Sequence, residues 1–355
     1  MDADFIWTSM YTTTLGIGNP QVLFRAQIDT SWGPLFVPSI YCTNEPCWMH
    51  REHMYNPLNS STSRANLTGC QVTYTGQLYG LWTWGNETRD TVHVANLEIK
   101  NQTFESVTYW WPNPLERDDL YDTVLGLALR DIEDDDSTLH SPSLFQGMLD
   151  QGLLDDYVFT LRMSRKDEEI GELTLGGIPD YIDKHKLVDI PLTRNYDGGD
   201  SQEMRFYSSN GWQVALNNIT ISDDALTHRS VLASNYTAVL STSYPWIVFP
   251  WDDAKAIWSQ LGFEGGSVPC DARSRLPNIT FVFGPDGQEV TLTSWDYVLE
   301  VYNDMLSRLE CLIIIGGMEK NESNGFVLLG SPFLNGLYSV WDAGRKTVSF
   351  ANRPR

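Results

Sequence analysis

The sequence predicts a mostly β protein built as two similar halves, and three observations carry that expectation. Short runs rich in β-branched and aromatic residues recur along all 355 residues, punctuated by Gly and Pro. Helical candidates are few and short. A strand–turn–strand unit near the N-terminus also recurs far downstream, with its parts in the same order.

Strand-like segments fall at 11–18, 22–28, 72–74, 92–99, 157–163, 171–176, 212–221, 236–240, 278–283, 288–292, 325–329 and 337–341. Helical patterns are confined to 142–152, 252–261 and 294–306. No short fixed period is present, which argues against solenoids and propellers. In the repeat, Phe24-Arg-Ala-Gln-Ile-Asp-Thr-Ser leads into an apolar run ending at Pro38. Tyr236-Thr-Ala-Val-Leu-Ser-Thr-Ser leads into Trp246-Ile-Val-Phe-Pro. A second echo pairs Thr123-Val-Leu-Gly-Leu-Ala with Val327-Leu-Leu-Gly-Ser-Pro. Two such echoes imply two lobes related by pseudo-symmetry, divided as residues 1–178 and 179–355.

Apolar residues make up 42% of the chain, enough for a substantial core, with 13 Trp, 16 Tyr and 14 Phe. The formal net charge of −22 repels phosphate backbones and anionic lipid, so nucleic acid is not an expected partner. No apolar run approaches the length of a membrane span. The opening Met-Asp-Ala-Asp carries no apolar leader and reads as the start of a mature domain. Eight Asn-x-Ser/Thr sequons, at Asn59, Asn66, Asn86, Asn101, Asn218, Asn235, Asn278 and Asn321, exceed what a chain of this length carries by chance. They predict a secreted glycoprotein in the secretory pathway, expected to be monomeric. Of five cysteines, Cys42 and Cys47 could close a small loop and Cys270 and Cys311 a longer one, leaving Cys70 over. The alternative is five reduced core thiols. No cysteine or histidine spacing suits a metal, and no cofactor is expected.

Eight segments in order make the chain resemble the pepsin family of aspartic proteases. Leu15-Gly-Ile-Gly-Asn-Pro-Gln is similar to the family's opening IGTPPQ. Ile28-Asp-Thr-Ser-Trp-Gly-Pro-Leu-Phe-Val-Pro-Ser aligns without gaps on DTGSSNLWVPS. Tyr41-Cys through Cys47 fits the first small disulfide, and Tyr55-Asn-Pro-Leu-Asn-Ser-Ser-Thr fits FNPSxSST. Gln71-Val-Thr-Tyr-Thr-Gly sits where the flap and its tyrosine occur, which makes Tyr74 the flap tyrosine. The following loop, 75–80, is one residue shorter than usual. Tyr121-Asp-Thr-Val-Leu-Gly-Leu-Ala matches FDGILGLG, Glu172-Leu-Thr-Leu-Gly-Gly-Ile resembles the central GxLxFGG strand, and Leu328-Leu-Gly-Ser-Pro-Phe-Leu resembles ILGDVFLR. The resemblance implies a two-lobed pepsin-like fold (a double-ψ β-barrel) with a central cleft and few short helices.

The departures fall on the chemistry. The family's reaction uses two Asp-Thr-Gly turns whose carboxylates share a proton and hold a water, one acting as base and the other polarising the substrate carbonyl. Here the first turn is Asp29-Thr30-Ser31, and the second is Ser241-Thr242-Ser243. A serine hydroxyl cannot share that proton, and losing one of two coupled catalytic groups removes most of the rate. Thr30 and Thr242, whose hydroxyls tie the two turns together in the family, are kept. Trp32 stands where the family has a small serine, Tyr244-Pro-Trp246 replaces Thr-Ser-Leu, and Ser331 replaces the aspartate after the Leu-Gly turn. Aromatic walls of this kind suit a small ligand, although Trp32 and Trp246 could equally fill core space. Tyr79, Trp82 and Trp84 add aromatics near the flap. The pair His50 and His53, and the acidic run 133–136, read as solvated loops.

Three functions follow from this pattern. The first is a cleft repurposed to bind, and to convert, a small apolar molecule with Asp29 as a lone general acid or base. The second is a secreted pseudoprotease that holds a peptide, an enzyme or an inhibitor-type partner without turnover. The third is residual endopeptidase activity.

Overall fold

A computed structural model describes residues 11–74, 81–111, 121–129, 138–139, 141–165, 169–193, 202–222, 229–232, 235–263, 267–303 and 308–353. The predicted acidic run at 133–136 and the loop at 75–80, including Tyr79, lie outside these. The protein is mostly β, as the sequence predicts, and divides into two compact units. The first takes in the described residues of 10–155, with Ser209–Gly211. The second takes in those of Asp156–Ser208 and of 212–355. The sequence division at 178/179 differs from this, because Val158–Arg162 pairs antiparallel with Leu337–Asp342 and with Glu172–Leu175. Those two strands therefore belong to the second unit.

The first unit is one seven-stranded sheet. Its order is Leu35–Pro38, Leu97–Trp111, Leu81–Val94, Thr12–Ile17, Val22–Asp29 and Thr123–Gly126, with Arg64–Tyr74 pairing onto Leu81–Val94. Val22–Asp29 runs antiparallel to Thr12–Ile17 and parallel to Thr123–Gly126, so it is an interior strand. Its exposed–buried alternation gives way to continuous burial from Ala26 onward, so both faces are covered there. The helix Leu144–Asp150 starts on Ser143, whose hydroxyl accepts from the Gln146 amide at 3.0 Å. The same hydroxyl donates to the Ala128 carbonyl at 2.7 Å, tying the helix to the segment after Gly126.

In the second unit, an eight-stranded sheet carries Tyr236–Leu240 beside Phe326–Leu329, followed by Ile247–Pro250 and Ile315–Met318. A five-stranded and a three-stranded sheet complete it. Phe159 stacks on Trp341 at 5.4 Å, and Trp212 packs edge-on against both. Burying each such side chain contributes about 2–3 kcal/mol.

Two predicted elements resolve differently. The run 92–99 is a hairpin, not one strand: Val94 and Leu97 pair with each other, and Ala95 takes a left-handed turn conformation at φ 52°. The helix expected over 294–306 ends at Tyr297, and Val298–Asn303 is a strand paired with Arg308–Ile313. The capping box of Thr293 and Asp296 starts the helix. The β-branched Val298 and Val301 then favour extended chain, held by pairing to the strand that carries Cys311. The sequence also gives no sign of the short helix Gln202–Ser208.

Candidate active site

Asp29 is the last residue of its strand, directly opposite Gly126 on the parallel neighbour. The Leu127 amide donates to the Asp29 carbonyl at 2.8 Å, and the Ala128 amide to the Trp32 carbonyl at 3.1 Å. The chain after Gly126 thereby clamps the Asp29 turn. A Cβ at position 126 would lie 2.5 Å from the Trp32 carbonyl oxygen, so only glycine permits this approach.

Asp29, Thr30, Ser31 and Trp32 have no exposed surface. The Ser31 amide donates to Asp29 Oδ1 at 2.7 Å, and the Tyr74 hydroxyl donates to Asp29 Oδ2 at 2.7 Å. Tyr74 is itself fully buried, packed edge-on against Trp32 at 4.9 Å and tilted on Phe36 at 6.1 Å. Trp32 Nε1 donates to the Pro34 carbonyl, which fixes the ring over its own turn. Burial first, and the charge of Asp29 second, push the Tyr121 phenol above its ordinary value. The expected flap tyrosine is thus bonded to the carboxylate.

The second turn repeats this frame. Ala238 lies opposite Val327 as Ala26 lies opposite Thr123, and Leu240 lies opposite Leu329, which brings Ser241 to the place Asp29 holds. The Ser241 amide donates to the Leu329 carbonyl at 3.1 Å, and the Ser331 amide to the Tyr244 carbonyl at 2.8 Å. A Cβ on Gly330 would fall 2.1 Å from the Tyr244 oxygen, the same glycine requirement as at Gly126. The Ser241 hydroxyl lies 3.2 Å from that of Ser243 and accepts from the Tyr244 amide at 3.3 Å. Ser241, Thr242, Ser243 and Tyr244 are buried, and Trp246 is half-buried. Tyr244 packs edge-on against Tyr207 at 5.0 Å. The Ser331 hydroxyl is buried and has no partner among the described residues.

Trp82 and Trp84 lie in the hairpin strand but face solvent, opposite the exposed Trp111 and Tyr109. His50 and His53 are not a solvated pair. Their Nδ1 atoms lie 3.0 and 3.1 Å from the two oxygens of the buried Asp122, which also accepts from the Arg25 amide at 2.8 Å. The spacing of the two histidines was visible in the sequence. Their common partner was not, because it lies about seventy positions downstream in the Tyr121-Asp-Thr-Val segment. Cys42–Cys47 and Cys270–Cys311 are disulfides, and Cys70 is a buried free thiol. Of the sequons, Asn59, Asn101, Asn235, Asn278 and Asn321 are exposed, and Asn86 and Asn218 are half-buried. Asn66 is in strand Arg64–Tyr74, and its side chain lies outside the described residues.

Two strand–turn frames, each closed by a Leu-Gly segment on a parallel neighbour, define the pepsin-like class. Residues 10–353 match the family described as eukaryotic aspartyl protease, and the chain belongs to that family. It is similar to vacuolar protease A of Aspergillus fumigatus, 29% identical over 98% of this chain and 80% of that protein. Pepsin-3 of Oryctolagus cuniculus is 28% identical over 96% of this chain and 80% of its own length. Cathepsin D of Dictyostelium discoideum is 29% identical over 97% and 83%. No helix among the described residues is long and apolar enough to cross a membrane.

Proposed function

We propose that this family member is not a working aspartic endopeptidase, and that the site around Asp29 binds a small apolar molecule and acts on it through Asp29 alone. The observation that carries the reading is the equivalence of the two turns. Ser241 occupies the frame in which Asp29 sits, and its hydroxyl is engaged by Ser243 and the Tyr244 amide. With Ser241 in place of a second carboxylate, the pair of acids that holds and activates water in peptide hydrolysis is incomplete. One positioned carboxyl suffices for isomerisation, dehydration or cyclisation, where binding supplies the geometry and a single proton moves. Trp32 and Tyr74 pack beside that carboxyl, and Trp246 follows the second turn. In this reading Thr30 and Ser31 belong to the turn that carries Asp29, and Thr242, Ser243 and Tyr244 to the turn that carries Ser241. The protein works in the secretory pathway as a monomer, with sugar on its sequons.

The Tyr74–Asp29 hydrogen bond favours a second reading, binding without turnover, because it occupies the oxygen that a substrate would need. A peptide-library digest from pH 3 to 7, read by mass spectrometry, compares the protein with Asp29→Asn. No cleavage by either is expected. Cleavage lost in Asp29→Asn would overturn the proposal and return the chain to the peptidases. With a ligand recovered from extract screens, binding with no turnover would leave only the second reading, and turnover that survives Asp29→Asn would overturn the role given to Asp29.

A further inference from the structure

The second unit also carries a solvent-open groove of about 990 Å³, distinct from the Ser241 turn. Among the described residues, its wall holds Arg165, Arg275 and Arg353 and one carboxylate, Asp296, in a chain whose net charge is −22. Asp296 Oδ2 is already engaged by the Thr293 amide and hydroxyl, both at 2.7 Å. Arg353 is buried. Its Nη atoms donate to the Met163 and Asn335 carbonyls and to Glu169, and its Nε has no partner among the described residues. Glu169 is shared, lying 3.6 Å from Arg162 and 3.8 Å from Arg165 as well. Burial, and then the neighbouring charge of Arg165, hold the Arg353 guanidinium below its ordinary value. Arg275 pairs with Asp271 at 3.7 Å, but both side chains are exposed, and such pairs hold weakly.

Trp295 stands in the same wall, half in solvent, with the Arg273 guanidinium 4.3 Å from its ring. The rest of the lining is largely serine, threonine and asparagine. An excess of guanidinium charge recognises an acid group, hydroxyls and amides recognise other hydroxyls, and a half-exposed indole offers an apolar face with a polar edge. A sugar that bears an acid presents all three complements at once. We propose that this groove binds an acidic saccharide, its ring packed on Trp295 and its acid group met by Arg165 or Arg275. The assignment is independent of what happens at Asp29.

Isothermal titration with trigalacturonate and with neutral galactotriose tests it. The acidic trimer is expected to bind one-to-one, at least about tenfold more tightly than the neutral one, and more weakly as salt rises. Trp295→Ala, and Arg275→Ala or Arg165→Ala, should each weaken binding by about tenfold, with circular dichroism confirming the fold. Asn278, a sequon residue, also lines the groove, so Asn278→Gln is titrated in parallel. No binding by the folded protein, equal binding of the neutral trimer, or no effect in Trp295→Ala or in both arginine variants would each overturn the proposal. So would binding seen only in Asn278→Gln, which would mean that the chain's own sugar fills the groove.

Discussion

Asp29 accepts two hydrogen bonds of 2.7 Å in a fully buried setting, one from the Ser31 amide and one from the Tyr74 hydroxyl. Bonds to a carboxylate in such surroundings are stronger than neutral ones, and losing a donor there leaves desolvated charge behind. Tyr74→Phe keeps the ring against Trp32 and removes only the hydroxyl. It should lower unfolding stability by about 1.5–3 kcal/mol, read as a shift in the urea midpoint at constant slope. An unchanged midpoint would mean that the bond contributes nothing. Asp29 and Tyr74 were both legible in the sequence, each from its local motif. Their contact was not, because it depends on a hairpin folding back across 45 positions. The same holds for Asp122, whose bracket of two histidines joins segments that no spacing rule connects.

At the scale of elements, the two Leu-Gly segments are alike because both must pass under the carbonyls of a tight turn. Gly126→Ala and Gly330→Ala would press a methyl to within 2.5 and 2.1 Å of a backbone oxygen. Each should cost more than about 3 kcal/mol or abolish expression of folded protein. Gly177→Ala, where a Cβ meets nothing within 4 Å, is the neutral control. Thermal unfolding of the three variants checks this, and equal midpoints would refute the steric account. Strands such as Val22–Asp29 and Tyr236–Leu240 were readable from their β-branched and aromatic runs, whereas Val188–Pro191, Ile315–Met318 and Thr347–Asn352 were not read at all. Two further failures came where signals compete. At 294–306 a good capping box announces a helix, but pairing to Arg308–Ile313 draws the chain into a sheet after one turn. At 92–99 one apolar run is two strands, because the turn between them uses Ala95 and not a glycine.

For the molecule as a whole, the decisive titratable group outside the candidate site is Glu105. It is fully buried in the first unit's sheet, with Oε2 accepting from the Thr83 hydroxyl and Oε1 without a partner among the described residues. Burial pushes its carboxyl up to about 8. Between its ordinary value and that one, the folded chain holds a proton that the unfolded chain has released. The contribution of Glu105 to stability is therefore greatest in acid and falls as pH rises through the window from about 4.5 to about 8. The full loss is about 5 kcal/mol. Cys70, pushed up to about 12 by burial and by the charges of Glu105 and Glu87, adds nothing until more alkaline pH. Glu105→Gln should flatten the decline between pH 5 and 8, measured by denaturant unfolding. An equal slope in both proteins would show that another group controls it. Nothing in the sequence marks Glu105, which lies outside every strand-like segment read from it, although the structure places it in strand Leu97–Trp111. The acidic bias of the chain, by contrast, was plain from composition.

The duplicated frame has a consequence of its own. Two copies of one backbone device stand in the same chain, one carrying a carboxylate and the other a hydroxyl, in matching register. The second copy buries its turn and keeps its clamp with no acid at Ser241. The clamp and the acid are thus separable parts, and a change of chemistry here needs no change of architecture.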